Sequence, residues 1–480
     1  MSLKKETLSG LIWTFTQQFS VQLISFCMTI ILARILMPAE FGLIAMLTIF
    51  IAIGNSLLDG GLASSLIRSA DLTQDDYSTV FYFNLLGSIL IYALVYLIAP
   101  LVAAFYHQAV LTLILRIYAL DFILNAFFSV QNARLIKEMK FRIQMLIQIP
   151  SVLAGGLLGV FLALNGYGVW SLVWMGLFQS FLSTVMHWCY SGWVPDLSFS
   201  LACFKKHFHF GYKMTLTGLL DILYKNVYVL IIGKYYSAVQ LGFYSRAESV
   251  SQLPVTNISA VINKVTYPMF SKIVDDDEKL KWVYKKLMQQ LLFWNTPVLI
   301  LLAVIAEPLF NFLLSSKWLP AVPYFQILCF AGIMYPLHAY NLNILKVKGR
   351  SDLILKLESV KKGICVVGIL CAIPFGIYGL LYFQLLFNFI GYYINSFYSG
   401  KMISYSIPEQ MADAAPIIGN SFLAGMLCYL GDVYFLKPLF LFDLSRILID
   451  SSFFLIIYLA GSSLFRLAAI DDFKQLILKR

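Results

Sequence analysis

"ARILMPAEFGLIAM", residues 33–46, stands between two long apolar runs and gathers Arg34, Pro38, Glu40 and Gly42 into one short connection. Shifted by 200 residues, its first ten positions fall on "GKYYSAVQLG" at 233–242. Arg34 meets Lys234, Glu40 meets Gln240, Phe41 meets Leu241 and Gly42 meets Gly242. A second echo relates "GYGVWSLVW" (166–174) to "IYGLLYFQL" (377–385). The first pair joins spans one and two of a six-span group; the second joins spans five and six. The echoes therefore predict two six-span halves in the same orientation. Parallel repeats about an axis along the membrane normal are a transporter architecture, with a substrate path between the halves.

The chain has 480 residues, 60% hydrophobic and 12% charged. Soluble domains are about a quarter charged, and surface-to-volume scaling would not let a water-soluble fold bury this much apolar chain. Apolar runs of roughly 20 residues, each long enough to span a bilayer as a helix, recur from end to end. The first is too long for a signal peptide and lacks a small-residue cleavage site, so it counts as a retained span. A net charge of +10 is explained by Lys and Arg collecting in cytoplasmic loops, so no nucleic-acid partner is expected. Seven cysteines lie mostly within apolar runs, Cys203 excepted, without C-x-x-C spacing, which indicates neither a disulfide framework nor a zinc site. The five histidines form no metal motif; His207 and His209 sit in a basic stretch and read as interfacial. No cofactor is implied.

The pattern predicts an all-α integral membrane protein of about fourteen transmembrane helices. They fall near 9–33, 42–67, 78–104, 110–134, 143–164, 169–191, 208–232, 241–271, 286–306, 321–345, 353–373, 377–400, 411–431 and 438–461. The expected organisation is a six-helix bundle over 1–200, a second over 201–402, and two further helices with a tail over 403–480. Basic residues load alternate loops, among them Lys4, Lys5, Arg68, Lys137, Lys140, Arg142, Lys205, Lys206, Lys346, Lys348, Arg350, Lys401, Lys474, Lys479 and Arg480. The other set offers Arg34, Lys234, Lys317 and Lys437. That asymmetry puts both termini in the cytoplasm, a rule that fixes an even number of spans and leaves twelve open beside fourteen. Residues 275–290, "DDDEKLKWVYKKLMQQ", read as an amphipathic surface helix leading into span nine, its lysines suited to anionic headgroups.

Polar groups in hydrocarbon are costly and should face a cavity or each other. In span one, Thr14, Gln18, Gln22, Ser25 and Thr29 share a face, with no charge between Glu6 and Arg34. Span two carries Asn55 and Asp59 one turn apart; span four carries Arg116, then Asp121, Asn125 and Asn132 on one face. Span seven holds Lys213, Asp221 and Lys225, and span eight Arg246, Asn257 and Lys264, at steps that return nearly to one helical angle over roughly 27 Å. A structural reading stays open for each: an Asp221–Lys225 ion pair, hydroxyls and amides stitching spans, lysines reaching an interface. Collectively they describe a polar, net-basic cavity suited to phosphate or diphosphate.

"ARILMPAEFGLIAM" resembles the first-loop signature of the polysaccharide transporter family, within the multidrug/oligosaccharidyl-lipid/polysaccharide (MOP) flippase superfamily. The resemblance continues in "GLASSLIRSADLTQDDYSTVFYFN" (61–84), "YSRAESVSQLP" (244–254), "YPMFSKIVDDDEKL" (267–280) and "KWLPAVPYFQILCFAGIMYPLHAYNLNILKVKGRSDLILKLE" (317–358). It covers about residues 5–400 and is nearest to the Wzx/WzxC-like branch. It implies two six-helix bundles plus two helices, related by a pseudo-two-fold along the membrane normal. It implies a flippase moving undecaprenyl-diphosphate-linked oligosaccharide across the bacterial inner membrane for lipopolysaccharide, exopolysaccharide or capsule. It further implies membrane lipids, a polymerase and a chain-length regulator as partners, and action as a monomer. Superfamily members hold the diphosphate with basic cavity residues, but no strict motif transfers those positions. Arg246, Lys225, Arg116 and Lys264 are therefore assigned to the diphosphate on the helix-face argument. Asn257, Gln18, Gln22 and Asn55 are assigned as polar lining, and Asp59, Asp121 and Asp221 as coupling acids.

Three rivals stand beside this, one of them a pure scaffold within an export complex, which the charged intramembrane residues argue against. A multidrug or cation antiporter of the same superfamily would favour acidic sites in the first half, whereas span one is uncharged. A membrane glycosyltransferase or polymerase would need a substantial outer loop and a clustered catalytic pair, and the sequence offers short outer loops.

Overall fold

The computed structural model describes residues 3–59, 61–69, 71–439 and 441–470, with side chains left out at 3–11, 59, 210, 213–214, 260–263, 265 and 339. The side chains of Asp59 and Lys213 and the tail residues Lys474, Lys479 and Arg480 thus lie outside the described residues. Every regular element among those described is helical. In order they are α1 (Leu3–Ile35), α2 (Pro38–Asp59), α3 (Leu62–Arg68), α4 (Gln74–Tyr106), α5 (Val110–Tyr118), α6 (Leu120–Lys137), α7 (Phe141–Leu164) and α8 (Val169–Ser191). There follow α9 (Leu201–Lys225), α10 (Val227–Tyr235), α11 (Ala238–Ser271), α12 (Asp277–Val304), α13 (Ala306–Leu314) and α14 (Val322–Gly332). The last are α15 (Tyr335–Val347), α16 (Ser351–Ala372), α17 (Gly376–Met402), α18 (Ile407–Gly431) and α19 (Asp443–Leu464).

Eleven helical stretches among the described residues are long and apolar enough to cross a membrane, or twelve if α9 and α10, bent by 47°, form one span. One stretch, Ser351–Met402, contains both α16 and α17, folded back at Gly376, whose φ is 75°. Gly368 lies so close to Phe383 that a Cβ would fall 1.9 Å from the ring. The 34-residue α11 is not among the eleven, since it carries Arg246, Glu248, Asn257 and Lys264.

Three local expectations change. The second expected span is broken, because Gly61 adopts a left-handed conformation between α2 and α3. The stretch 275–290 is no separate surface helix. Asp276 caps α12, accepting from the Lys279 amide at 2.9 Å, and the helix continues unbroken to Val304. Its Leu280, Tyr284 and Met288 recur every fourth residue and are fully buried, while Lys281 and Lys285 pair with Glu409 at 3.1 Å and Asp413 at 2.7 Å on α18. His207, expected at an interface, is fully buried. Its Nε2 lies 3.0 Å from Asp76 Oδ1 and its Nδ1 2.8 Å from Ser65 Oγ. Asp76 is held for this contact by a capping box with Thr73 at the start of α4, so α9 is docked on α3 and α4.

The chain forms two compact units, Met1–Gly242 and Phe243–Arg480. The first thus includes α9 and α10, which pack on α2, α3 and α4. The contact boundary at Gly242/Phe243 is distinct from the repeat boundary expected at 200/201.

The opening sequence echo has a physical counterpart inside the first unit. α1 ends at Ile35 and α10 at Tyr235; α2 begins at Pro38 and α11 at Ala238. Both new helices are capped alike. Glu40 Oε2 accepts from the Met37 amide at 2.7 Å, and Gln240 Oε1 accepts from the Ser237 amide at 3.4 Å. The two helix starts also touch reciprocally. A Cβ on Gly42 would lie 1.8 Å from the Ala238 carbonyl oxygen, and a Cβ on Gly242 would lie 1.9 Å from the Pro38 carbonyl oxygen. Only glycine permits this approach, in which Cα–H groups face carbonyl oxygens. The second echo adjoins the first at Gly168, whose Cβ position is 2.5 Å from Glu40 Oε1.

Gly42→Ala and Gly242→Ala should each destabilise the protein by about 1–3 kcal/mol, the usual cost of overpacking, or more because backbone is struck. Gly419→Ala, where nothing lies within 4 Å of the added Cβ, should be neutral or stabilising by up to ~1 kcal/mol, as alanine is the better helix former. Thermal unfolding in detergent compares the three; indistinguishable midpoints would refute the close crossing.

Candidate functional site

In the first unit, α2, α3, α4 and α6 enclose a cavity of about 470 Å³ whose polar lining is Asn55, Ser64, Asn84, Asn125, Ser129 and Asn132. The sequence builds it through helical spacing. Asn125, Ser129 and Asn132 follow at steps of four and three along one face of α6, so their side chains stack along one wall. Each wall residue is tied to a neighbour. Asn84 Nδ2 donates to Ser129 Oγ at 3.0 Å, Gln144 Nε2 of α7 to Asn132 Oδ1 at 2.9 Å, and Asn125 Nδ2 reaches Asn55 Oδ1 at 3.4 Å. Such amides present both donors and acceptors, the complement of a sugar's hydroxyls.

Asp121 lies one turn before Asn125. Its Oδ2 accepts from Asn125 Nδ2 at 2.7 Å and its Oδ1 from Ser180 Oγ of α8 at 2.5 Å. No basic side chain lies within ion-pair distance of it among the described residues. It is a carboxyl inside an apolar bundle, surrounded by neutral partners, which is the setting for a bound proton or a small cation.

The other residues singled out from the sequence are placed as follows. Asn55 joins the cavity, and the side chain of Asp59, one turn on, lies outside those described. Arg116 points away: its Nε donates to the Tyr96 carbonyl at 3.2 Å and its guanidinium carbon lies 4.0 Å from the Tyr96 ring centre, bracing α5 on α4. Gln18 and Gln22 sit on an exposed face of α1 beside Phe15 and Phe19. The buried amide there is Gln17, which donates to Gln148 of α7 at 2.9 Å. Asp221 and Lys225 are exposed on the last turns of α9, near the bend at Asn226. One turn earlier α9 comes close to α2, with the Cβ position of Gly218 3.2 Å from Ser56 Oγ.

In the second unit, Arg246 is largely buried on α11, while Asn257 and Lys264 further along are exposed. Asn257 Nδ2 turns back to the Leu253 carbonyl at 2.8 Å, so the stripe does not converge on one place. Beside Arg246, Tyr244 Oη lies 3.1 Å from Glu248 Oε1 and 3.3 Å from Gln384 Oε1 of α17. Glu248 was not singled out from the sequence, although it lies two positions after Arg246. Two further groups were missed. Lys361 is buried on α16 and donates to Glu358 Oε1 at 2.5 Å. His338 of α15 is pressed against Gly391, whose Cβ position is 2.6 Å from its Cε1. The Glu358/Lys361 spacing of three on one helix is the sequence signal for this pair.

Residues 31–323 match a family model described as "Polysaccharide biosynthesis protein". The chain is 27% identical over 370 residues to the lipopolysaccharide biosynthesis protein WzxC of Escherichia coli, covering 75% of this chain and 74% of that protein. It is 27% identical over 355 residues to the teichuronic acid biosynthesis protein TuaB of Bacillus subtilis, covering 73% of each. Its fold is similar to the inward closed conformation of the lipid II flippase MurJ, with a TM-score of 0.73 at 13% identity over 95% of this chain and 98% of that one.

Asp121→Ala leaves the Ser180 and Asn125 donors without their acceptor and should cost about 1–3 kcal/mol. Asp121→Asn, which keeps an acceptor oxygen, should cost less. Equal unfolding midpoints for wild type and Asp121→Ala would show that the cluster does not hold α6 to α8.

Proposed function

The chain belongs to the polysaccharide biosynthesis protein family, and from that premise we propose that it is a flippase for undecaprenyl-diphosphate-linked oligosaccharide. It carries the repeat unit from the inner to the outer leaflet of a bacterial cytoplasmic membrane by alternating access. Both termini are cytoplasmic, and two six-helix groups joined near residue 200 precede two added helices. The observation that carries this reading is the amide-lined cavity of the first unit, in a chain with 12% charged residues. Placing so many polar groups within apolar helices is costly unless they serve a polar cargo or one another.

The sugar head cannot cross hydrocarbon, so polar side chains replace its water, while the polyprenyl tail stays in lipid. Arg246 is the foremost candidate for the diphosphate, since a guanidinium grips phosphate oxygens in pairs. Arg116 is assigned a bracing role instead. Asn55 lines the path with the other amides of the first-unit cavity. Binding alone imposes no direction, because a ligand shifts states only by its differential affinity for them. Direction comes from an ion gradient acting on Asp121, with Asp221 and Asp59 as further candidates, or from product removal by a polymerase working with a chain-length regulator. A cation antiporter is the second reading, favoured by the Asp121 carboxyl, which has no basic side chain within ion-pair distance among the described residues.

Deleting the gene should make lipid-linked oligosaccharide accumulate on the inner leaflet, detected by leaflet-selective labelling of the lipid pool. No accumulation, together with altered sensitivity to cationic drugs, would favour the antiporter. Complementation with Arg246→Ala at unchanged protein level should lose most polymer export, and Arg116→Ala should retain it while lowering the unfolding midpoint. Full export by Arg246→Ala would remove that residue from the site.

A further inference from the structure

A further cluster of charged groups lies in the last helix pair of the second unit. Asp443, Arg446 and Asp450 follow at steps of three and four along one face of α19. Arg446 is committed: its Nε donates to Asp432 Oδ1 at 3.0 Å and its Nη2 to Asp432 Oδ2 at 2.7 Å, both residues being buried. Asp432 opens a π-helical turn, Asp432–Leu436, at the end of α18; such turns are rare and recur at functional sites. Asp450 has no such partner. It is 1% exposed, and among the described residues its Oδ2 has no hydrogen-bond partner. Its Oδ1 lies 3.7 Å from Cys428 Sγ, which also approaches the Asp450 carbonyl oxygen at 3.3 Å.

The other charged or titratable groups packed around this face are accounted for. On α13, Glu307 pairs with Lys437 of the α18–α19 connection at 2.9 Å, both being exposed. Asn311 of α13 donates to Asp443 Oδ2 at 2.7 Å. On α19 itself, Tyr458 donates to the Phe293 carbonyl of α12 at 2.8 Å. Two buried acids therefore lie beside one buried base, whose Nε and Nη2 are engaged by Asp432. An ionised Asp450 would be a buried, uncompensated charge, which costs several kcal/mol. A metal ion is a poor solution, since hard cations require about six or more oxygen ligands and both Asp432 oxygens are occupied.

We propose that Asp450 is a proton-binding site, protonated at neutral pH and filled from the aqueous end of α19 along the Asp443–Arg446–Asp450 face. The proton adds to the Oδ2 lone pair and removes the one excess negative charge of the Asp432–Arg446–Asp450 group. The inference stands apart from the transport reading, because its test needs no cargo.

The purified full-length protein in lipid nanodiscs is compared with its variants by infrared difference spectroscopy at neutral pH. The carbonyl stretch of a protonated carboxylic acid should diminish by one group in Asp450→Asn. Asp450→Asn should also unfold at the wild-type midpoint, as asparagine matches the neutral acid in shape. Asp432→Asn should likewise lose that band, since it frees Arg446 to ionise Asp450, and Asp443→Asn should keep it. An unchanged band in Asp450→Asn would overturn the proposal. So would marked destabilisation or misfolding of Asp450→Asn, which would mean that the native residue is the ionised form.

Discussion

Where α2 and α11 begin, two carbonyl oxygens occupy the space that side chains would need. The Pro38 oxygen lies against Gly242 and the Ala238 oxygen against Gly42. In apolar surroundings there is little hydrophobic drive to hold helix to helix, so close approach through small residues does that work. This approach sets the start of α2 against the start of α11; further along α2, Asn55 is reached by Asn125 of α6.

The second organising constraint is the cost of polar groups away from water. It is met in three ways. Amides satisfy amides at Gln17–Gln148 and Gln144–Asn132. Opposite charges neutralise one another at Arg446–Asp432 and Lys361–Glu358. The third way leaves a carboxyl with no basic side chain within ion-pair distance among the described residues, as at Asp121, or beside an arginine engaged by another acid, as at Asp450. The first two hold helices together and consume their own hydrogen-bonding capacity. The third leaves capacity over, and that is why the proposals for ion coupling and proton binding fall there.

Much of this was legible in the linear chain. Helix positions followed from runs of apolar residues and turn chemistry, as at α8, where the expected 169–191 coincides with Val169–Ser191. The face shared by Asp121, Asn125 and Asn132 followed from helical spacing. The spacing argument was weaker for α1, where Gln18 and Gln22 share an exposed face and Gln17 is the residue turned inward. It was also weaker for α11, where Arg246 is largely buried but Asn257 and Lys264 are not. Periodicity states which residues share an angle; it does not state which angle a neighbour covers. His207 shows the same limit: its basic flanks suggested a surface, yet Asp76, 131 residues earlier, buries it.

The sequence by itself determined the class of the protein, because hydrophobicity and helical period are properties of short stretches. It also determined the family, through blocks of residues in order, and the 200-residue echo, through aligned helix ends and caps. Only the tertiary structure decided that the two echoed turns touch, that Arg116 braces Tyr96, and that Asp450 is left without the arginine one turn away. Those outcomes depend on which distant group reaches a given side chain first. Competition for a partner is settled in three dimensions, where Asp432 takes Nε and Nη2 of Arg446 and Asp450 keeps an oxygen with no hydrogen-bond partner among the described residues.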